Sequence, residues 1–243
     1  IAKIYLNNPP VNILNMRLMN ELRDSLSRAA ADESVRAIIV GTSIDRAFSA
    51  GADVREHLPD KAPGMLDTFT DLIREVLYME KPTIAAVRGL CLGGGFELAI
   101  SLDFLVAGSS AVFGTPEIRL ASMPPIATVL LPRIIGIRRA LQIVLLGENV
   151  SAPEADRMGI ITKLVPDGDV DSEAEKLARS ASGISMAVMR IAKRAFWASL
   201  GLGVDSGFDA VNRIYLKELL RTQDSVEGLK AFLEKRKPSW KDG

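Results

Sequence analysis

Three glycines followed by a carboxylate form the first group of residues in this chain that could do chemistry. Gly93, Gly94 and Gly95 lead directly into an apolar helical pattern that carries Glu97. Glycine lets backbone N–H groups approach a ligand closely, and a helix that starts there adds the positive end of its dipole. The pattern indicates an anion-stabilising site, although a tight strand-to-helix turn without chemistry remains the alternative.

A second carboxylate, Glu117, follows Pro116 and lies twenty residues after Glu97, beyond a predicted strand. This separation permits both side chains to meet in space. A carboxyl group on an apolar helix is partly desolvated, which raises its pKa toward the range useful for proton transfer. Taken singly, Glu117 is also explained as a charge at a helix start and Glu97 as a buried ion-pair partner.

A second glycine-containing turn occupies residues 47–53, between a predicted strand and a probable helix, with Gly51 near its centre. It supplies further backbone N–H groups. The two glycine turns together predict a pair of main-chain donors facing one site.

Composition bounds the class of protein. The chain has 243 residues, 48% of them hydrophobic, with 30 basic and 30 acidic side chains. The balanced charge argues against nucleic acid or an anionic membrane as partner. The single cysteine, Cys91, and the lack of an apolar run of roughly 20 residues predict a cytoplasmic protein. No His/Cys cluster has metal-ligand spacing. The chain starts in a predicted strand without Met, so a removed targeting segment stays open.

Apolar runs alternate with helical patterns in the first half of the chain. Strands are predicted at 1–6, 37–40, 83–87 and 104–107, and helices at 15–30 and 65–78. Helical patterns dominate after about residue 125, with a helix start at 151–154, a turn at 205–206 and a helix pair over 212–235. The economical fold class is α/β, with a core over residues 1–180 and a helical region over 181–243.

The order of these motifs resembles the crotonase (enoyl-CoA hydratase/isomerase) superfamily. The resemblance rests on five separated segments: 48–53, 81–89, 93–97, 113–118 and 227–236. It implies a spiral of ββα units carrying an acyl-CoA site, and a C-terminal helical trimerisation region that forms homotrimers or homohexamers. It also implies an oxyanion hole, carried here onto the backbone N–H groups of Ala50 and Gly94.

The resemblance implies a hydro-lyase that adds water to an acyl-CoA thioester, with coenzyme A as part of the substrate and no separate cofactor or metal. Glu97 and Glu117 match the pair of catalytic glutamates of the hydratases, and the sequence leaves open which is acid and which is base. Members that keep one glutamate tend to be isomerases. Other readings are an isomerase or carbon–carbon hydrolase of the same fold, and a noncatalytic RNA-binding protein.

The segment 122–128 departs from the glycine-rich stretch of common hydratases, because two prolines there remove backbone donors and stiffen the chain. Segments 54–60, 88–95 and 116–120 are similar to the cyclohexa-1,5-diene-1-carbonyl-CoA hydratases of anaerobic aromatic (benzoyl-CoA) degradation. That similarity implies a 1,4-addition giving 6-hydroxycyclohex-1-ene-1-carbonyl-CoA. A general enoyl-CoA hydratase or isomerase acting on a linear or other cyclic substrate is the alternative.

Further residues are predicted to contact the substrate or its CoA moiety. His57 is the only histidine and lies on a loop that is suited to cover the substrate. Asp53 is also suited to accept hydrogen bonds within its own turn, and Lys235 to complement a helix C-terminus. The predicted substrate- and CoA-binding set is Ala52, Asp53, His57, Met123, Pro125, Phe232 and Lys235.

Overall fold

The computed structural model describes residues 1–242 and forms two compact units. The first runs from Ile1 to Ala178 and the second begins at Arg179. The division falls two residues before the predicted boundary at 180. Residue 243, the last of the predicted helical region, lies outside the described residues.

Strands of the first unit form two sheets. The larger sheet is parallel throughout, in the order β1-β2-β4-β6-β9, and the smaller sheet has the order β3-β5-β7-β8, with only the β7–β8 pair antiparallel. The strands are β1 (Ala2–Leu6), β2 (Ile38–Thr42), β3 (Ala47–Ser49), β4 (Thr83–Val87), β5 (Leu90–Leu92), β6 (Phe104–Gly108), β7 (Val112–Gly114), β8 (Val150–Ser151) and β9 (Lys163–Val165).

Consecutive strands divide between the two sheets, and a helix follows each pair. Thus β2, β4 and β6 lie in the large sheet, whereas β3, β5 and β7 lie in the small one. The predicted α/β class and ββα repeat are therefore confirmed. Helices of the first unit are α1 (Met16–Ala31), α2 (Ala62–Leu77), α3 (Gly94–Ser101), α4 (Pro125–Ile135), α5 (Ile137–Leu146) and α6 (Ala152–Met158); α7 (Val170–Ser182) carries the unit boundary.

Local sequence signals explain where several helices begin. The Asn15 side chain accepts a hydrogen bond from the Leu18 N–H and so caps α1. Ser151 and Glu154 form the reciprocal capping box of α6, which confirms the helix start predicted at 151–154. Met19 and Leu26 lie fully buried on the inner face of α1, as their helical spacing predicts.

Three chain segments leave the small sheet at the same edge, and this arrangement positions the site. Strands β3, β5 and β7 are parallel neighbours that end at Ser49, Leu92 and Gly114. Their carboxyl ends therefore meet at one edge, which is where ligands bind in open parallel sheets. The two glycine turns and the segment carrying Glu117 follow directly.

The second unit is helical, with α8 (Met186–Ser199), α9 (Val204–Lys217) and α10 (Gln223–Leu233). The predicted turn at 205–206 is wrong, because both residues lie in the first turn of α9, which begins after Gly203. Buried Asp224 accepts hydrogen bonds from the Ser185 hydroxyl and from the N–H groups of Lys241 and Asp242. These bonds tie the end of the chain to α10. Within residues 1–242, none of the helices is both long and apolar enough to cross a membrane.

Candidate active site

Each glycine of the triplet meets a different steric demand. Gly93 has φ +51, and a Cβ there would lie 2.5 Å from Oε1 of Glu117. A Cβ on Gly94 would lie 3.3 Å from the Ala52 nitrogen, and one on Gly95 would lie 2.5 Å from the Cβ of Ser49. Real Cβ atoms essentially never approach within 2.5 Å and seldom within 3.3 Å, so the triplet allows β3, α3 and the Glu117 segment to converge.

Glu97 is buried on α3, with 2% of its surface exposed. Its Oε1 accepts hydrogen bonds from the N–H groups of Ile126 at 2.7 Å and Ala127 at 2.8 Å, in the first turn of α4. Burial raises the pKa of this carboxyl to about 8, and the nearby Glu117 adds to the rise, against the opposing effect of the two N–H donors. Glu97 is therefore suited to carry a proton near neutral pH.

Glu117 lies in a short 3₁₀ helix, Pro116–Leu120, and is half-buried. Burial raises the pKa of its carboxyl, while its own backbone N–H and His57 act in the opposite direction. Its Oε2 atom is buried and has no hydrogen-bond partner among the described residues. Because an unpaired buried carboxyl oxygen is costly, it marks a position where a ligand atom would be stabilised.

A cavity of about 250 Å³ brings the two carboxylates together. Glu97 and Glu117 both line it, as does Gly94. A second, smaller cavity of about 120 Å³ is lined by Ala50, Gly51, Gly93 and Glu117, among others. Both predicted catalytic side chains thus face one space at the edge of the small sheet.

The prediction of Ala50 as a hole donor is wrong, because its N–H already donates to the Val11 carbonyl oxygen at 2.9 Å. The amide of Ala52 is suited to take its place. It forms a parallel bridge with Leu14 in which the flanking residues Gly51 and Asp53 make the hydrogen bonds, so the Ala52 amide points to the other side. Sequence reasoning named Ala52 only as a CoA contact.

Gly94, the other predicted hole donor, is the first residue of α3. The first N–H groups of a helix lack intrahelical partners, and the helix dipole favours negative charge beside them. Within residues 1–242, no hydrogen-bond acceptor is found for the N–H of Ala52 or Gly94. The two amides are adjacent and line the larger cavity, so they can stabilise an oxyanion there.

Asp53 does not line either cavity. Its carboxylate accepts the Arg55 N–H, caps the 3₁₀ helix Val54–His57 and pairs with the Arg55 guanidinium at 2.6 Å. The hydrogen bonds from Arg55 lower the pKa of this carboxyl. The structure therefore gives Asp53 a role within its own turn rather than at the substrate, whereas the neighbouring His57 lines both cavities.

The predicted wall residues Met123 and Pro125 line the larger cavity, together with Ser122. The opposite wall comes from α2, which sequence reasoning treated only as a helix. The apolar periodicity of α2 did not indicate a ligand site, because side chains that face the core and side chains that face the cavity lie on the same apolar face of the helix. The α2 residues lining the cavity are Ala62, Met65, Leu66 and Phe69.

Phe232 and Lys235 lie in the second unit, at the end of α10 and just beyond it. Phe232 is 83% exposed, and Lys235 is exposed with φ +57. Their CoA contacts remain predictions. In the described part of the chain, His, Cys, Asp and Glu side chains form no group of three or more that could hold a metal ion.

The model of the enoyl-CoA hydratase/isomerase family matches residues 1–243. This chain belongs to that family. The superfamily resemblance drawn from its motifs is thereby confirmed, and the similarity to the hydratases described next makes it an enzyme of the hydro-lyase type.

Proteins from several organisms are similar to this chain over nearly its whole length. A probable mitochondrial enoyl-CoA hydratase of Dictyostelium discoideum is 37% identical over 99% of the chain and 87% of its own length. A cyclohexa-1,5-dienecarbonyl-CoA hydratase of Thauera aromatica is 35% identical over 100% of the chain and 93% of its own length. The crystal structure of an enoyl-CoA hydratase from Bacillus anthracis superposes with a TM-score of 0.93 at 31% identity, covering 99% of this chain and 95% of that one.

Proposed function

We propose that this member of the family adds water to an α,β-unsaturated acyl-CoA thioester at the larger cavity. The observation that carries the proposal is that Glu97 and Glu117 line the same space as the amides of Ala52 and Gly94. When hydroxide adds to the β-carbon, negative charge develops on the thioester oxygen. Two preorganised N–H donors stabilise that charge, and losing one such donor costs roughly 10²–10³ in rate.

The proton balance of hydration requires one carboxylate and one carboxylic acid. The carboxylate takes a proton from the attacking water, and the acid gives its proton to carbon, so that H and OH are both added. Burial raises the pKa of Glu97 to about 8 and the nearby Glu117 adds to the rise, so the two carboxyl groups in this cavity are suited to hold one proton between them. The pair titrates as a unit, and general acid–base catalysis of this kind contributes roughly 10²–10⁴.

For the acyl group we propose a cyclohexa-1,5-diene-1-carbonyl thioester of anaerobic aromatic degradation. Support comes from the similarity to the Thauera aromatica protein and from the wall at Met123 and Pro125, since Pro125 has no N–H to offer the substrate. The apolar α2 side chains across the cavity suit a hydrocarbon ring.

The ring makes a particular demand on the two carboxyl groups. In a 1,4-addition, hydroxide joins the ring carbon β to the thioester, and the resulting dienolate is protonated on the far side of the ring. The acid and the base must therefore serve opposite ends of the ring. Glu97 on α3 and Glu117 on the segment after β7 enter the cavity from different elements.

The deciding experiment compares the cyclic dienoyl-CoA with crotonyl-CoA, following the loss of conjugated absorbance and identifying the products. We expect faster turnover of the ring substrate and solvent deuterium on the remote ring carbon. Deuterium at the α-carbon would contradict the 1,4-addition. A preference for crotonyl-CoA would assign the chain to linear substrates, as the similarity to the Dictyostelium discoideum hydratase allows.

We also propose that the enzyme is cytoplasmic. The second unit, in this proposal, supports its assembly into homotrimers or homohexamers. Support comes from large apolar side chains that are exposed on its helices: Phe196, Phe208, Leu229, Phe232 and Leu233. Sedimentation of the intact chain tests this, and Phe208→Glu should release monomers. A monomeric wild-type protein at micromolar concentration would contradict it.

A further inference from the structure

His57 lies where the two cavities of the candidate active site meet. The cavities share four lining residues, Ala52, His57, Glu117 and Ser122. Two of the four already have roles in the proposed hydration, since Ala52 contributes a hole amide and Glu117 is one of the proton carriers. The imidazole therefore borders the place where the thioester oxygen and the reacting carbons would lie.

The orientation of the His57 ring follows from one hydrogen bond. Nδ1 lies 2.9 Å from the carbonyl oxygen of Asp53. A carbonyl oxygen can only accept, so Nδ1 carries the hydrogen, and Nε2 of the neutral ring is left as an acceptor. Asp53 lines neither cavity, whereas His57 lines both. Because Nδ1 is engaged by the backbone of its own turn, Nε2 is the ring nitrogen left for a ligand in the cavities that His57 lines.

We propose that Nε2 of His57 accepts a hydrogen bond from the oxygen that becomes the hydroxyl of the product. This inference rests on the proposed hydration and adds a second acceptor for the water molecule, beside the carboxylate. The proton of the attacking water goes to the carboxylate pair and not to His57. A water oriented by two acceptors, a carboxylate oxygen and Nε2, has a lone pair directed at the β-carbon.

The surroundings of the ring leave it well placed for this contact. Glu117 is the carboxyl group across the junction, and Ser122 is the other polar side chain there. The guanidinium of Arg55, on the same 3₁₀ helix, is paired with Asp53 and so does not compete. Other lining residues of the two cavities, including Val54, Leu66 and Met123, have apolar side chains that offer the water no hydrogen bond.

Two substitutions of His57 distinguish the role of Nδ1 from the role of Nε2. In His57→Asn the side-chain amide can still donate to the Asp53 carbonyl, as Nδ1 does, but nothing replaces Nε2. In His57→Gln the longer side chain reaches the position of Nε2 with an oxygen that can accept. We expect His57→Asn to lower kcat about tenfold, the usual effect of one neutral hydrogen bond, with KM little changed and partial recovery in His57→Gln.

Binding of paired ligands gives a readout that a structural role of His57 would not move. Dissociation constants are measured for 3-hydroxybutyryl-CoA and butyryl-CoA, and for the hydroxycyclohexenoyl-CoA and cyclohexenoyl-CoA pair, in a Glu97→Gln background that prevents turnover. One of the two ligand pairs corresponds to the substrate that the enzyme hydrates. For that pair, we expect His57→Asn to reduce the affinity ratio of the hydroxylated to the non-hydroxylated ligand by about five- to tenfold. Equal weakening of both members, or an unchanged preference, would overturn the proposal.

Failure of this inference is distinguishable from failure of the hydration itself. If Glu97→Gln and Glu117→Gln alone lose their activity while His57→Asn matches the wild type, His57 only anchors its loop and the hydratase proposal stands. If both glutamine variants retain full activity with every enoyl-CoA, the hydratase proposal fails first. Thermal unfolding of each variant verifies that the fold is intact.

Discussion

The backbone N–H of Ala127 donates a 2.8 Å hydrogen bond to Oε1 of Glu97. Ile126 donates to the same oxygen, and Pro124 and Pro125 before it have no N–H. The leading donors of α4 thus converge on one atom of a proposed catalytic group. Oε1 is held by the fold, which leaves Oε2 of Glu97 as the oxygen for proton transfer.

Glu97→Gln should change how stability depends on pH. The pKa of Glu97 is raised from 4.5 to about 8 in the folded protein, so the folded state binds this proton more tightly than the unfolded state does. Its stabilising contribution is complete below about pH 4.5 and is lost as pH rises to about 8. Glutamine keeps the acceptor for α4 without the charge.

Denaturant unfolding at pH 5 and pH 9 measures this effect. The free energy of unfolding of Glu97→Gln relative to wild type should rise between these pH values by on the order of 4 kcal/mol. Glu21→Gln, at a side chain that is 60% exposed on α1, is the control and should show no such trend. Parallel pH curves for wild type and Glu97→Gln would refute the assignment.

The rate of hydration should fall on the alkaline side. Catalysis needs one proton on the carboxyl pair, and that proton is lost as pH passes the raised pKa of about 8. We therefore expect kcat/KM of the wild-type enzyme to decline tenfold per pH unit above that value. A rate that stays constant to pH 10 would show that the pair does not carry the transferred proton.

Gly93→Ala should inactivate the enzyme. The new Cβ would lie 2.5 Å from Oε1 of Glu117, and φ +51 is unfavourable for alanine. We expect kcat to fall at least about 100-fold, since small displacements of a catalytic group have effects of that size, and stability to fall by about 1–2 kcal/mol. Kinetics with crotonyl-CoA or the ring substrate, together with thermal unfolding, measures both.

The control for Gly93→Ala is Gly64→Ala. Gly64 lies in α2 and has nothing within 4 Å of an added Cβ. This variant should keep full activity and gain up to about 1 kcal/mol from the higher helix propensity of alanine. Equal activity losses in the two variants would show that crowding of Glu117 is not the cause.

Replacement of single backbone amides by esters should distinguish Ala52 from Ala50. An ester at position 52 removes a hole donor and should lower kcat roughly 10²–10³-fold. An ester at position 50 removes the hydrogen bond to Val11 instead and should cost about 1 kcal/mol of stability with little change in kcat. A large loss of kcat with the ester at position 50 and little loss with the ester at position 52 would instead assign Ala50 to the oxyanion hole.

Leu66→Ala should weaken selection for the ring. Leu66 lines the larger cavity from α2 and is 40% exposed, so its truncation changes the shape of the cavity with little loss of stability. The ratio of kcat/KM for the cyclic dienoyl-CoA over crotonyl-CoA should fall about tenfold or more. Leu141→Ala, at an exposed position on α5, should leave the ratio unchanged.

Sequence patterns predicted the elements that carry strong local signals. β4 has the predicted bounds, and Asn15 and the Ser151–Glu154 pair start helices where their chemistry predicts. The turn predicted at 205–206 failed because polar residues favour turns and first helical turns alike, and the choice depends on packing over the next ten residues.

The candidate site was harder to predict where the role of a residue depends on the direction in which its backbone N–H points. Residue types alone place Ala50 and Ala52 in the same glycine turn, and only the bridge to Leu14 shows which amide is free. The link between Glu97 and α4 was likewise invisible, because it joins residues 29 and 30 positions apart through backbone atoms that have no sequence signature. The meeting of Glu97 and Glu117 was predictable from motif order.

The cavity wall at Met123 and Pro125 leads into α4, the helix whose N–H groups hold the Glu97 carboxyl group. The fit of an acyl group against this wall and the position of that carboxyl group are therefore coupled. An acyl group that displaces this wall also displaces the clamped oxygen. We expect such a ligand to bind with its double bond misplaced for reaction. Discrimination between acyl groups then appears in turnover more than in affinity, and ill-fitting thioesters act as inhibitors.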